Sequence, residues 1–259
     1  MWNTWELPPE GKPRRHDLGL ATLYVGTDSA GEGTVLTALV AYDGAAPGGK
    51  RRPVPAPRAD DARWTRSFLD GRSGYEVAPA YPAIPVCVHL AESFSLQPGS
   101  RLSGWIFSRA EVELKTNGKS LRRFPLEPPR KTLFGRSDSG IVCRHEEAAF
   151  LASDEPAFAV VDADQTLVAH PVRVHNGSGG PIEVTELCFY GEQLSIFAVG
   201  SDLVSEPISF EFSASGMRMG VQSQGRAPEG SRILAQARVS GEERFIERSF
   251  ELLRAMTRI

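Results

Sequence analysis

The chain has 259 residues, of which 41% are hydrophobic and 24% charged, and its 29 basic and 32 acidic side chains give a net charge of −3. This composition is typical of a globular protein and excludes an intrinsically disordered chain or an integral membrane protein. So small a net charge gives no global field for attracting nucleic acid or an acidic membrane. The 25 glycines and 19 prolines indicate many turns, in a chain long enough for one large or two smaller domains.

Cysteine use and hydrophobic segments predict a reducing, cytoplasmic environment. The three cysteines, Cys87, Cys143 and Cys188, are too few and too widely spaced for a disulfide framework. Residues 1–5 lack the basic and then apolar order of a signal peptide. The longest apolar stretch, residues 77–91, contains three prolines and is shorter than the roughly 20 residues of a membrane helix. No transmembrane segment is therefore expected.

The first elements along the chain are predicted to be a hairpin, a loop and a short helix. Apolar and β-branched runs at residues 21–25 and 34–42 predict two strands. Residues 44–58 predict an exposed loop, because proline removes hydrogen-bond donors and glycine is costly to order. Asp60 or Asp61 then predicts the N-cap of a helix over residues 61–69, with Trp64 and Phe68 one turn apart.

The middle of the chain carries a proline repeat and a strong turn signal. Pro79, Pro82 and Pro85 recur at the three-residue period of a polyproline II helix. This pattern predicts an extended edge segment leading into a strand at residues 86–90, with binding to an aromatic groove as the functional alternative. Asn117-Gly118, between strand-like runs on both sides, predicts a β-hairpin.

The second half of the chain predicts a series of short strands and then a helix. The strand-like runs recur at roughly ten-residue spacing, which is typical of a sandwich or barrel; they lie at residues 140–143, 158–161, 167–175, 182–190, 194–199, 208–212, 217–221 and 233–239. Ser240 and Glu243 have the spacing of a capping box, and Ile246, Phe250 and Leu253 fall on one face of a predicted C-terminal amphipathic helix.

These elements predict a mainly β fold of two tandem β-sandwich-like halves. The strand pattern breaks near residues 152–156, so the expected domains are residues 1–152 and residues 153–259. The C-terminal helix is expected to cover one open end of a sheet, with docking to a partner as the alternative role.

Two C-x-H pairs are the candidate metal ligands. Cys87 precedes His89 by two residues, and Cys143 precedes His145 by two residues, each pair at or near the end of a predicted strand. Because alternate strand residues share a face, two thiolates and two imidazoles could meet in a four-coordinate zinc site if the strands are neighbours. The alternative is that the cysteines are buried structural residues.

Other candidate motifs are incomplete. Residues 44–51 begin as a phosphate-binding loop, but Arg51 stands where Ser or Thr is needed and prolines follow. Residues 145–149 begin as H-E-x-x-H, but Ala149 replaces the second histidine. Asp162 and Asp164 could ligate a metal or act as a general acid, but with only two ligands in a loop a solvated turn is the favoured interpretation. His170 and His175 fall out of phase on one strand and are not expected to form a site together.

The densest positive charge lies around and beyond the predicted hairpin. This stretch contains one acid, Glu127, among seven basic residues: Lys115, Lys119, Arg122, Arg123, Arg130, Lys131 and Arg136. Such a cluster predicts a weak anion-binding site for nucleic acid or a phosphorylated ligand. Alternatively, these residues protect a sheet edge from pairing with another chain.

One part of the chain resembles a known family. Residues 133–144, which end in Ser139-Gly140-Ile141-Val142-Cys143-Arg144, and the later runs at residues 172–176 and 182–184 are similar to the uncharacterised family filed as domain of unknown function number 432. The resemblance covers roughly residues 80–220. It implies a β-rich fold and assigns no catalytic or binding residue.

The sequence predicts a binding or interaction module without a complete catalytic set. A protein partner is expected at an exposed sheet edge, at the proline segment or at the basic hairpin. The alternatives are a metal-dependent hydrolase that uses Cys87, His89, Cys143 and His145, and a phosphate or nucleic-acid binder that uses the basic hairpin.

Overall fold

The fold is mainly β, as the sequence predicts. The computed structural model describes residues 2–19, 21–30, 33–42, 57–58, 60–69, 74–135, 140–153, 165–213, 216–221, 228–239 and 249–250. Among these residues the one helical segment is a 3-10 helix at Gly191–Gln193. Within the same ranges, no helix has the length and apolar character needed to cross a bilayer.

Twenty strands lie in the described residues. In the first half of the chain they are β1 (Asn3–Trp5), β2 (Arg14–Leu18), β3 (Ala21–Ala30), β4 (Gly33–Tyr42), β5 (Thr65–Leu69), β6 (Tyr75–Ala80), β7 (Val86–Leu96), β8 (Arg101–Arg109), β9 (Glu111–Thr116) and β10 (Lys119–Phe124). In the second half they are β11 (Lys131–Phe134), β12 (Ile141–Ala148), β13 (Leu167–Asn176), β14 (Ile182–Phe189), β15 (Ile196–Val199), β16 (Asp202–Ser205), β17 (Ile208–Ser213), β18 (Gly216–Val221), β19 (Arg232–Ala235) and β20 (Ser249–Phe250).

The chain forms two compact units that alternate along the sequence. Unit 1 comprises Met1–Ala80 and Glu111–Pro128, and unit 2 comprises Tyr81–Ala110 and Pro129–Ile259. The sequence predicts two consecutive domains, residues 1–152 and 153–259. Whether those two stretches fold independently stays a prediction.

Unit 1 contains two antiparallel four-stranded sheets. One has the order β1-β6-β9-β10 and the other the order β2-β3-β4-β5. The second sheet buries Leu23, Tyr24 and Leu39 on β3 and β4. Pro79 lies on β6 opposite Val112 of β9. The pairing between β6 and β1 ends at Val77, so the missing N–H of Pro79 removes no hydrogen bond between β6 and β1.

Unit 2 contains a mixed four-stranded sheet and a larger mixed sheet. The four-stranded sheet has the order β11-β12-β7-β14, in which β12 and β7 run parallel. In the larger sheet, β13 pairs along its length with β8 on one side and with β16 and β17 on the other. Buried apolar residues such as Val88, Leu187 and Phe210 form the core of this unit. The four-stranded sheet carries the candidate site.

The helix predicted at residues 61–69 is wrong. Residues 60–64 form turns, and Thr65–Leu69 form β5, which pairs with β4. A spacing of four residues fits both a helical turn and two strand repeats, so the Trp64–Phe68 pattern did not discriminate between the two. Trp64 packs against Tyr24 and Leu39 of the sheet, whereas Phe68 is 76% exposed.

The predicted C-terminal helix is not seen. Most of residues 240–257 lies outside the described residues, and the two that are described, Ser249 and Phe250, form β20 and pair with β18. Most of the predicted loop at residues 44–58, the strand at residues 158–161, and Asp162 and Asp164 also lie outside the described residues.

Several predicted strands are confirmed. The Asn117-Gly118 turn joins β9 and β10, and both turn residues have positive φ, 50° and 73°. These values match the type I′ turn that Asn-Gly favours. The predicted strand at residues 86–90 is the first part of the longer β7, and the run at residues 167–175 is β13.

Candidate metal centre

Three neighbouring strands present metal-ligating side chains on one face of the four-stranded sheet of unit 2. Strand β7 lies between β12 and β14. Because successive strand residues alternate between faces, each strand contributes alternate residues to this face. They are Cys87 and His89 on β7, Cys143, His145 and Glu147 on β12, and Glu186 and Cys188 on β14.

The strand register places these side chains beside one another. On β7, Cys87 lies opposite His145 of β12 and opposite Cys188 of β14. His89 lies opposite Glu186 in the same way. All three cysteines are fully buried, whereas the side chains of His89 and Glu186 are 35% and 28% exposed. The face therefore runs from a buried thiol end to a half-exposed imidazole and carboxylate end.

Cys87, His89 and Glu186 form a ligand trio at the junction of these two ends. The Cys87 Sγ lies 3.5 Å from the Glu186 Oε2 and 3.6 Å from the His89 Nε2. The His89 Nδ1 lies 3.5 Å from the same Glu186 oxygen. One ligand atom from each residue lies within 4.8 Å of the others, and within the described ranges no other group of three or more such residues does so.

These separations match the dimensions of a zinc site. With bond lengths of about 2.3 Å to sulfur and about 2.1 Å to nitrogen or oxygen, a tetrahedral zinc ion holds its ligand atoms about 3.3–3.6 Å apart. The observed sulfur–oxygen separation of 3.5 Å falls in this range. Only one imidazole nitrogen of His89 can bind the ion: Nε2 lies nearer the Cys87 sulfur and Nδ1 lies nearer the Glu186 oxygen.

His145 and Glu147 lie beside the trio. The rings of His89 and His145 have centroids 4.5 Å apart, and the His145 Nε2 lies 3.1 Å from the Glu147 Oε1. The hydrogen bond from His145, together with its charge and that of Arg130, holds the pKa of Glu147 below its usual value. A histidine that ligates a metal commonly donates its other N–H to a carboxylate in this way.

The remaining two cysteines form a buried thiol pair. The Sγ atoms of Cys143 and Cys188 are 3.5 Å apart, and Cys188 lies directly opposite Cys87 in the strand pairing. The hydrogen bond with Cys188 lowers the pKa of Cys143, while the contacts with Cys143 and Cys87, together with burial, raise the pKa of Cys188. The three thiols therefore form one continuous group behind the ligand trio.

The two predicted C-x-H pairs do lie on neighbouring strands, but the trio differs from the predicted ligand set. Cys87 and His89 belong to it, His145 lies next to it, and Cys143 contacts Cys188 instead. Glu186 supplies the third ligand atom and was missed. Its sequence signal was available, because Glu186 and Cys188 repeat the two-residue spacing of the C-x-H pairs on another predicted strand.

The predicted anion-binding residues are divided between the two compact units. On β9 and β10, Lys115 and Arg123 both contact the buried Glu113, at 3.4 and 2.7 Å. Lys119 and Arg122 are exposed on the same hairpin. Arg130 and Lys131 are also exposed but belong to unit 2, and Arg136 lies outside the described residues.

His170 and His175 do not form a site together. His170 is fully buried, and its ring nitrogens lie 2.8 Å from Ser108 and 2.8 Å from Ser205. His175, on the opposite face of β13, pairs with Glu211 at 2.7 Å. Both histidines therefore have local structural partners.

The fold and this site define a class: an all-β protein whose mixed sheet displays a thiol–imidazole–carboxylate group. A family model described as Protein of unknown function (DUF432) matches residues 1–256. The chain therefore belongs to this family, and the match extends well beyond the stretch of roughly residues 80–220 on which the resemblance was based. No curated protein and no solved structure matches the chain.

Proposed function

We propose that the protein is a metal-binding module in which Cys87, His89 and Glu186 hold one zinc ion. The observation that carries the proposal is the convergence of a thiol, an imidazole and a carboxylate within 4.8 Å on two neighbouring strands. A thiolate with an imidazole favours zinc and related transition metals, whereas calcium and magnesium require oxygen ligands.

We propose His145 as the fourth ligand. Its ring lies next to that of His89, and its hydrogen bond to Glu147 would hold the ring in place and fix the nitrogen that carries the proton. With His145 bound, the ion has four protein ligands, as structural zinc sites do.

A metal-dependent hydrolase is the second candidate. It is favoured by the count of three ligands in the trio, because catalytic zinc sites keep the fourth position for water. The half-exposed side chains of His89 and Glu186 would give a substrate access to that position. Substituting His145 separates the two candidates: loss of affinity supports a closed structural site, and unchanged affinity supports an open one.

The test is the metal content and metal affinity of the full-length protein. Purified under reducing conditions, it is expected to hold about one zinc per chain by elemental analysis, and cobalt in its place should give the absorption of a thiolate ligand. Cys87→Ser and Glu186→Gln are each expected to weaken zinc binding at least tenfold, on the order of the effect of losing a ligand or its support.

His175→Gln is the matched control for these variants. It removes another partly buried histidine that pairs with a glutamate, at 2.7 Å, on the other sheet of the same unit. This variant is expected to bind zinc as the wild type does. Wild-type protein without zinc, or Cys87→Ser with undiminished affinity, would show that the proposal is wrong.

The metal site is proposed within a wider role as a binding module. We propose a protein partner at the edge strand β5, and the support is its exposed Phe68; an anionic ligand at Lys119 and Arg122 is the alternative. A sandwich-like packing of the sheets and a cytoplasmic location belong to the same proposal. The free state of all three cysteines supports a reducing compartment.

A further inference from the structure

We infer that Cys87 and Cys188 form a disulfide when the protein meets a hydroperoxide, and that this disulfide releases the bound metal. The release rests on the proposed zinc site, because Cys87 is a member of the ligand trio. The disulfide itself rests only on the positions of the two cysteines. The protein would then be a redox-controlled metal-binding module.

The strand register places the two cysteines at disulfide distance. Cys87 of β7 and Cys188 of β14 are directly opposite each other in an antiparallel pair. Opposite residues in such a pair have Cα atoms about 4.5 or 5.5 Å apart, and disulfides span Cα separations of about 4.4–6.8 Å. Because they are opposite each other, the two side chains lie on the same face of the sheet. The bond can therefore form without movement of either strand.

Cys143 is the competing partner for Cys188, and the sheet order excludes it. The Sγ atoms of Cys143 and Cys188 are 3.5 Å apart, but β7 lies between their strands. Two strand spacings place the Cα atoms about 9 Å apart, beyond the roughly 7 Å that a disulfide spans without backbone movement. Cys143 and Cys188 are therefore not expected to form the disulfide, although their sulfur atoms are close to each other.

The chemistry needs one hydroperoxide and two thiols. The Cys87 thiolate attacks the terminal oxygen of the hydroperoxide, the O–O bond breaks, and Cys87 becomes a sulfenic acid while an alcohol or water leaves. The Cys188 sulfur then attacks the Cys87 sulfur, a sulfur–sulfur bond forms, and the hydroxyl leaves as water with the Cys188 proton. Two electrons pass from the two thiols to the peroxide.

The surroundings of Cys87 favour it as the sulfur that is attacked first. Cys87 is itself buried, but it contacts His89 and Glu186, whose side chains are 35% and 28% exposed. It therefore lies one side chain away from the half-exposed end of the face, the end from which a small peroxide would approach. Cys188 contacts the Cys143 thiol, lies opposite Cys87 and is at the buried end of the face. Their positions assign Cys87 as the peroxide-reactive cysteine and Cys188 as the resolving cysteine.

The experiment treats the full-length, zinc-loaded protein with hydrogen peroxide. Zinc release is followed with a chromogenic chelator, and the disulfide is mapped by mass spectrometry after the free thiols are blocked. The wild type is expected to release about one zinc per chain, to contain a Cys87–Cys188 disulfide, and to bind zinc again after reduction with dithiothreitol. Cys143→Ser is the matched control and is expected to behave as the wild type.

Cys188→Ser and Cys188→Ala test the resolving role. Without Cys188, the sulfenic acid at Cys87 is expected to be trapped by dimedone and to proceed to the sulfinic acid, which dithiothreitol does not reverse. Recovery of zinc binding should then fall at least tenfold below the wild-type recovery. Mapping the disulfide in the wild type needs no substitution, so it remains informative if both variants fail to fold.

The outcomes separate this inference from the proposed function. A wild-type disulfide between Cys143 and Cys188, or no disulfide after peroxide, overturns the inference. A Cys87–Cys188 disulfide in a protein that never binds zinc supports the redox pair and overturns the proposed metal-binding function. A protein that binds zinc and keeps it after forming the disulfide overturns metal release.

Discussion

His170 is a buried histidine that remains neutral in the folded protein. Its two ring nitrogens lie 2.8 Å from the hydroxyls of Ser108 and Ser205, and no part of the residue is exposed. Desolvation lowers its pKa from 6.5 to about 3. Since the hydroxyls can either donate or accept, they satisfy both nitrogens of the neutral ring.

This low pKa predicts that acid destabilises the protein. Between about pH 6.5 and 3 the unfolded chain binds a proton at His170 that the folded protein does not bind. The free energy of unfolding therefore falls as the pH drops below 6.5, by up to about 1.4 kcal/mol per pH unit from this group. His16 adds to the same slope, because burial and Arg14 lower its pKa to about 4.

Urea unfolding at pH 7, 6 and 5 measures this slope. His170→Gln keeps a polar side chain that can bond the two serines but removes the titration, so its stability is expected to fall less between pH 7 and 5 than that of the wild type. The part of the slope from His16 should persist in the variant. Equal slopes for the two proteins would contradict a buried neutral His170.

Two of the three residues in the ligand trio were candidate metal ligands on the sequence alone. The spacing of Cys87 and His89 identified two members, because residues two apart on a strand share a face. Glu186 is 99 residues from Cys87 along the chain, and no local pattern specifies that β14 rather than another strand lies beside β7. Pairing between distant strands depends on tertiary packing, which periodicity does not encode.

At the scale of elements, the β9–β10 hairpin depends on one glycine. Gly118 has φ of +73°, and a Cβ at that position meets nothing within 4 Å. Gly118→Ala is therefore expected to cost about 1–2 kcal/mol through backbone strain alone. Gly179→Ala is the control, since it also meets open space but lacks a left-handed φ; urea unfolding compares the two. An equal loss in both variants would contradict the role of the turn.

The same hairpin contains two neighbouring arginines with different roles. Arg123 donates to the buried Glu113 at 2.7 Å, whereas Arg122 is exposed. Burial alone raises the pKa of Glu113, but the hydrogen bonds from Ser120 and Arg123 outweigh it and hold the pKa below its usual value. The ion pair is thus part of the structure of the hairpin.

Charge reversal should separate the two arginines. Arg123→Glu places a like charge beside Glu113 and is expected to lower the free energy of unfolding by about 1–3 kcal/mol. Arg122→Glu is expected to change it by less than about 0.5 kcal/mol. Thermal or urea unfolding measures both, and only Arg122→Glu then gives a clean test of anion binding. Equal destabilisation by the two variants would refute this division of roles.

The elements that were predicted correctly carry strong local signals. The Asn-Gly turn of the β9–β10 hairpin and the β-branched residues of β4 and β13 favour turns and strands by themselves. Strand β5 was predicted as a helix because its spacing of large residues satisfies both periods. Strand β8 was not predicted, since Arg101–Arg109 mixes polar and apolar residues and owes its structure to pairing with β13.

At the scale of the whole molecule, the chain passes between the two compact units three times. It leaves unit 1 after Ala80, returns at Glu111 and leaves again after Pro128. Unit 1 therefore requires two separate segments of the chain, and cutting at a single point does not isolate it. The change in the strand pattern near residues 152–156 lies within the second segment of unit 2, and the two consecutive domains that it suggests stay a prediction.

The central position of β7 has a consequence for synthesis of the protein. Cys87 emerges from the ribosome 99 residues before Glu186, so at about 5–20 residues per second the nascent chain waits roughly 5–20 s for the strand that completes the trio. During that interval β14 is absent and the Cys87 thiol lacks its neighbour Cys188. Until β14 has been synthesised, the Cys87 thiol is therefore open to other reactants and the proposed metal site is incomplete.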